Sequence, residues 1–238
     1  MPTTPTHLPK AVIFDAYGTL FDVHSVVAAA EQRFPGHGDA LSQLWRTKQI
    51  EYTQLRTLSD PSGSRYRPFW DITVDALRYA ASRLNLTLTA SGEKRLMDEY
   101  ACLSAFPDVL PALQALRERA DVGLAILSNG NPKMLDIAVK SAGMSGLFDH
   151  VLSADTVRAY KPAAAVYALG TAAFGAPARD IVFVSSNGWD AAGAGWFGYT
   201  TFWINRQRLP AEQLGIAPHG TGGSLADLAA FLDTAAPR

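Results

Sequence analysis

Two carboxylates and one amine stand just beyond short apolar runs: Asp15 after Ala11 to Phe14, Lys161 beyond His150 to Leu152, and Asp190 beyond Ile181 to Val184. A carboxylate at a strand end can attack an electrophilic carbon or take a proton from water. An ammonium beside it favours the charged form. The polar sets around these residues are Asp15-Ala16-Tyr17-Gly18-Thr19-Leu20-Phe21-Asp22, Ser128-Asn129-Gly130-Asn131, Tyr160-Lys161-Pro162 and Ser185-Ser186-Asn187-Gly188-Trp189-Asp190. Ligands of open α/β sheets sit beyond the carboxyl ends of the strands. If the runs are parallel strands, all four sets meet at one sheet edge. A single aspartate there serves equally well as a turn or cap residue. The convergence of four polar sets is what favours chemistry.

The elements that must position these residues follow from the apolar pattern. The runs Ala11 to Phe14, Val122 to Leu127, His150 to Leu152, Ile181 to Val184 and Thr200 to Ile204 are nearly continuous rather than alternating. Strands covered on both faces read this way. Helical stripes lie between them. Leu110, Leu113, Ala115, Leu116 and Ala120 follow Pro107, while Asn131-Pro132 offers an N-cap and an N1 proline before Met134, Leu135, Ile137 and Ala138. Pro162 is expected to open a helix through Val166, Leu169 and Ala173.

The rhythm breaks from Val23 to Ser104, where the pattern is helical: Val26/Val27/Ala30, Leu41/Leu44/Trp45, Ile50/Tyr52/Leu55, a polar loop at Ser59 to Ser64, then Val74/Leu77/Ala80/Ala81/Leu84 and a helix near Leu96. Roughly eighty residues is too long for a simple crossover. The prediction is an α/β fold, with a Rossmann-like doubly wound parallel sheet as core and an inserted helical cap. The core is assigned to 1–22 and 105–238 and the cap to 23–104. Gly220 to Gly223 reads as a loop before a final helix at Leu225, Leu228 and Phe231.

Composition narrows the function classes. Net charge is −1, from 21 basic and 22 acidic residues, which gives no sign of a nucleic-acid or anionic-membrane partner. Cys102 is the only cysteine, so an intramolecular disulfide and a zinc-thiolate cluster are excluded. Met1 to Lys10 is polar and does not resemble a secretory leader. No run of about 18 apolar residues suggests a membrane span, and a soluble, cytoplasmic protein is expected. His24 reads as a capping or surface residue, and His7, His37, His150 and His219 show no metal-ligand spacing.

The strand-Asp-x-Tyr-Gly-Thr-Leu opening, Leu-Ser-Asn-Gly, Tyr-Lys-Pro and Ser-Ser-Asn-x-Trp-Asp resemble, in order and type, segments of the L-2-haloacid dehalogenases, a group of the haloacid dehalogenase superfamily. Over nearly its whole length the chain resembles that superfamily, and within it the L-2-haloacid dehalogenases. Its phosphatases carry a second aspartate two residues after the nucleophile, where this chain has Tyr17, whose unperturbed pKa of about 10 does not suit the same role. They also hold Mg²⁺ with an acidic pair, the first position of which is Ser186 here. A hard dication favours several anionic oxygens. The Mg²⁺-dependent phosphatase of the same superfamily is therefore the alternative, and metal-free dehalogenation, with no cofactor, is the expectation.

The resemblance implies that Asp15 displaces halide from C2 of a small 2-haloacid, forming an aspartyl ester that water hydrolyses to the inverted 2-hydroxy acid. It implies that Asp190, aided by Asn187 and Ser185, activates that water, and that Lys161 offsets the repulsion of the two carboxylates. Thr19, Ser128 and the N–H groups near Ala16 and Tyr17 are candidates for the substrate carboxylate. Arg46, within Leu44-Trp45-Arg46-Thr47-Lys48-Gln49, matches the arginine that receives the departing halide, with Asn129 and the edge of Trp189. Tyr17, Leu20, Phe69 and Trp189 match the apolar wall, and Tyr167 matches a tyrosine lining the site. For Phe69 and Trp70, core packing is an equal reading. A homodimer formed through the helical regions is also implied.

Overall fold

The apolar runs form the strands of one sheet. The computed structural model describes residues 8–119 and 122–234; Met1 to His7 and Ala120, both used in the sequence reading, lie outside the described residues. The strands are β1 (Ala11–Phe14), β2 (Gly123–Ser128), β3 (His150–Ser153), β4 (Ile181–Ser185), β5 (Thr200–Ile204) and β6 (Gly220–Gly222). They lie in the order β3-β2-β1-β4-β5-β6 and every pairing is parallel. The order reverses at β1, which pairs with β2 on one side and β4 on the other. Its four side chains are fully buried. Burying Val12, Ile13 and Phe14 stabilises the fold by about 1.5–3 kcal/mol each. Asp15 therefore leaves a fully buried inner strand at the switch point of the sheet, where ligands of such folds bind.

Two expectations for the sheet are corrected. β3 is not covered on both faces, because it forms the sheet edge and leaves Val151 45% exposed. Gly220 to Gly222 is a strand rather than loop. Its two glycines give no apolar signal, and a Cβ at Gly220 would stand 2.6 Å from the Phe231 ring and 2.8 Å from the Phe202 ring. Glycine here permits the close approach of the last helix and the neighbouring strand.

Helices α1 (Val27–Arg33), α2 (Gly38–Ser59), α3 (Phe69–Arg83) and α4 (Ala90–Ala101) follow β1, and among the described residues no strand lies between 23 and 104. The chain leaves and returns through paired segments: Asp22 N–H donates to Ser104 O at 2.8 Å, and Phe106 N–H to Leu20 O at 3.1 Å. α2 turns Leu41, Trp45, Gln49 and Thr53 inward at four-residue spacing, against Ile72, Thr73, Ala76 and Leu77 of α3. Leu55, placed in an apolar stripe by sequence, faces outward and is 54% exposed. The inward row shifts by about 40° per four residues, so the buried face is the one that continues through the polar Gln49 and Thr53.

The remaining helices are α5 (Val109–Arg117), α6 (Pro132–Ser141), α7 (Ala164–Phe174), α8 (Gly188–Phe197) and α9 (Leu225–Thr234). α6 begins as predicted, with Asn131 accepting the Met134 N–H at 3.0 Å and Pro132 in the first turn. α7 starts at Ala164, two residues later than Pro162 suggested, and Ala115 of α5 points to solvent. Among the described residues, no helix is long and apolar enough to cross a membrane.

Candidate active site

Asp15 is held before it reaches the cavity. Its N–H donates to Val184 O at 2.9 Å, extending the β1–β4 ladder by one residue. The chain then turns tightly, with the N–H groups of Leu20 and Phe21 both donating to Ala16 O. Gly18 sits in that turn at φ +92°, a conformation that favours glycine. The turn brings Thr19 back to donate to Asp15 Oδ2 at 3.0 Å, while Asn187 Nδ2 donates to the same oxygen at 2.9 Å. Oδ1 accepts from Lys161 Nζ at 3.0 Å.

Lys161 joins the two carboxylates. Its ammonium is 1% exposed and also donates to Asp190 Oδ2 at 2.9 Å, with the Phe183 ring 4.8 Å away. Burial alone lowers the pKa of this ammonium, but Asp15 and Asp190 more than offset that and hold it above the ordinary lysine value. Burial pushes the Asp190 carboxyl up, against the pull of Lys161. Two buried anions thus share one cation, which is tolerable because each oxygen named is hydrogen-bonded. The Lys161 backbone is fixed as well, since its N–H donates to Asn129 Oδ1 at 3.0 Å.

Asp15, Tyr17, Phe69, Ser128, Asn129, Lys161, Asn187 and Trp189 share a cavity with Arg46, Ile50 and Thr53 of α2. It measures about 300 Å³ including its mouth. Arg46 spans the gap between helix and sheet: Nη2 donates to Tyr17 O at 3.1 Å and reaches Asn187 Oδ1 at 3.5 Å. Tyr17 stacks on Tyr100 with centroids 5.7 Å apart and lies the same distance from Phe69. Burial holds the Tyr17 phenol well above its ordinary pKa, making it a poor proton donor to a leaving group.

Five of the residues singled out in the sequence stand behind this cavity rather than in its wall, Leu20 among them: expected in the apolar wall, it is fully buried in the turn after β1. Thr19 and Asp190 act on it through Asp15 and Lys161. Ser185 Oγ accepts the Asn187 N–H at 3.1 Å and shapes the turn that presents Asn187. Tyr167, expected against the substrate, is instead fully buried, with its hydroxyl donating to Asp190 Oδ1 at 2.8 Å. It stands on the first turns of α7, which packs on β2, β3 and α8, and its ring meets Phe183 of β4. Phe69 reconciles its two readings: it is 2% exposed, packed against Tyr17 and Tyr160, and still lines the cavity. Sequence reasoning missed Gln49, Ile50, Thr53 and Tyr100. The first three had a signal, since with Arg46 they fall at i, i+3, i+4 and i+7 on one helix face. Tyr100 had none, being brought in by packing alone.

The donor set does not fit a divalent cation. Lys161 Nζ occupies the point between the Asp15 and Asp190 oxygens, and an ammonium there repels a dication. Ser186 stands where a further carboxylate would be needed, and its hydroxyl donates to Gly18 O. Among the described residues no group of three or more histidine, cysteine or acidic side chains is placed to hold a metal ion.

Residues 9–198 match the haloacid dehalogenase-like hydrolase family. The chain belongs to that family. It is 46% identical over 227 residues to an (S)-2-haloacid dehalogenase of Pseudomonas sp. (strain YL), covering 95% of this chain and 96% of the relative. A solved L-2-haloacid dehalogenase is 64% identical, with a TM-score of 0.93 over 95% of this chain and 99% of that one. The L-2-haloacid dehalogenase of Xanthobacter autotrophicus, solved with chloropropionic acid covalently bound, is 36% identical with a TM-score of 0.86 over 95% and 99%.

Proposed function

We propose that this family member hydrolyses short L-2-haloacids such as haloacetates and 2-halopropionates through an ester on Asp15, without a metal ion. An Asp15 oxygen forms a bond to C2 as the carbon–halogen bond breaks, and the halide leaves with the bonding pair. Water then attacks the Asp15 carbonyl carbon, passing a proton toward Asp190. The 2-hydroxy acid departs with inverted C2, and the restored carboxylate keeps one oxygen from water. What supports this reading is the arrangement at Asp15: a carboxylate facing a small cavity, gripped by Thr19, Asn187 and Lys161, with Tyr17 where a phosphatase needs an acid. The covalent chloropropionic acid adduct of the Xanthobacter relative supports the ester route.

In the same reading, Arg46, Asn129 and Trp189 receive the halide, Ser128 takes the substrate carboxylate, and Tyr17 and Phe69 wall the C2 substituent. Residues 23–104 act as a cap over a core of 1–22 and 105–238, an arrangement supported by the paired segments at Asp22 and Ser104. The expected experiment is a single turnover in ¹⁸O-water with chelator present. Label in the Asp15 carboxylate and undiminished halide release support the proposal; label passing directly to product, or release that needs added Mg²⁺, overturns it. A cytoplasmic homodimer belongs to the same proposal. A monomeric sedimentation coefficient, or recovery outside the cytoplasmic fraction, would remove it.

A further inference from the structure

Arg46 is held by a residue that no part of the proposed chemistry uses. Gln49, one turn along α2, is 1% exposed, and its Oε1 accepts from Arg46 Nη1 at 2.7 Å. Its Nε2 donates to Thr73 Oγ1 at 2.6 Å and to Tyr100 Oη at 3.0 Å. The amide has only one workable orientation. Thr73 spends its hydroxyl hydrogen on Phe69 O at 2.7 Å, so toward Gln49 it can only accept. A flipped amide would set an acceptor against that oxygen and an N–H against the guanidinium. Three helices, α2, α3 and α4, thereby fix one oxygen against Arg46.

The charge of that partner matters more than its position. The other oxygens that meet Arg46 are the Tyr17 carbonyl, the Asn187 amide and the Tyr100 hydroxyl, and among the described residues no carboxylate forms an ion pair with it. The neighbouring Lys48 shows the alternative, since it pairs with Glu51 at 2.8 Å. A glutamate at position 49 would be nearly isosteric and would still hold the guanidinium with one oxygen, while its other oxygen would confront the Thr73 hydroxyl. It would also cancel the charge that a departing halide must meet.

We propose that Gln49 is a positioning residue for Arg46, orienting the guanidinium over the cavity through a neutral oxygen so that its full positive charge stays available to an anion. This rests on the reading of the site as one that expels halide. The test compares Gln49→Glu with Gln49→Met, measuring kcat, KM, thermal midpoint and bromide binding to the substrate-free protein by tryptophan fluorescence.

Gln49→Glu is expected to fold with a lowered midpoint, because its second oxygen confronts the acceptor-only Thr73 hydroxyl, to bind bromide about tenfold or more weakly, and to lose on the order of 10²-fold in kcat, the scale of losing one preorganised donor. Gln49→Met keeps the charge and loses the orientation. It is expected to bind bromide more tightly than the glutamate variant, with kcat down about tenfold and a lowered midpoint. A merely structural glutamine would make bromide affinity follow each variant's midpoint and not its charge, so bromide binding no weaker in Gln49→Glu than in Gln49→Met overturns the proposal. So does wild-type bromide affinity in Gln49→Glu. Should the glutamate variant fail to fold, wild-type kcat in Gln49→Met is the overturning result. If the unaltered chain releases no halide from any 2-haloacid, the proposed function falls, while the bromide comparison still decides the role of Gln49.

Discussion

Asp15→Asn is expected to abolish halide release, lowering kcat by about 10⁴- to 10⁶-fold, the range seen when a nucleophile is removed from an otherwise intact site. The amide nitrogen carries no attacking electron pair, and the amide oxygen is a far weaker nucleophile than a carboxylate. Misfolding should not explain the loss. The buried cluster of Asp15, Lys161 and Asp190 changes from net −1 to neutral, which relieves a desolvation cost. Against this, three donors now face Asp15: Lys161 Nζ on one oxygen, Thr19 and Asn187 on the other. An amide can satisfy only one side, and a confronted donor costs about 1–3 kcal/mol. The two effects oppose, so the thermal midpoint should move by no more than about 5 °C. An ion-selective electrode reads the rate; a variant keeping about a tenth of the wild-type kcat would falsify the nucleophile assignment.

Lys161→Met should cost both activity and stability, and the two losses have one cause. Removing the ammonium leaves Asp15 and Asp190 facing the same emptied point, with no cation in contact. Breaking a buried pair in this way costs about 3–5 kcal/mol, which in a chain of this size lowers the midpoint by on the order of 10 °C. The pH dependence carries the sign that identifies the cause. Burial already raises the Asp190 carboxyl, and without Lys161 it must rise further. A carboxyl whose folded pKa exceeds its unfolded value binds more protons in the native state across that window. Stability therefore falls as pH rises through the window and returns on acidification. The variant is expected to lose more of its midpoint at pH 8 than at pH 5, the reverse of an ordinary paired carboxylate. A deficit equal at both values would mean that lost packing, rather than unpaired charge, is responsible.

Both predictions depend on residues that were visible before any fold was known. Asp15, Lys161 and Asp190 each follow a short apolar run, and strand ends of a parallel sheet share one edge. Asn129, Asn187 and Trp189 were legible for the same reason, since each lies within three residues of a strand end or on the first turn of the helix that follows. Arg46 was not placed by any such rule; only its neighbours in the chain picked it out. Gln49 showed only its spacing from Arg46 on one helix face; a glutamine on a helix is usually solvated, and nothing local says that Thr73 and Tyr100 will enclose it. Tyr167 was expected to line the site and instead lies buried against Asp190, because sequence spacing sets distance along a helix and not which neighbour its face meets.

By itself, the sequence determined the alternation of strands and helices, the long helical interruption after β1, and the set of polar residues at the strand ends. Those follow from local pattern: apolar continuity, caps and prolines act over a few residues. Only the tertiary structure decided that Lys161 lies between two carboxylates, that Arg46 crosses from α2 to Tyr17 and Asn187, and that a neutral glutamine holds it there. These contacts join residues far apart in the chain, and their strength comes from exclusion of water by packing that no local pattern encodes.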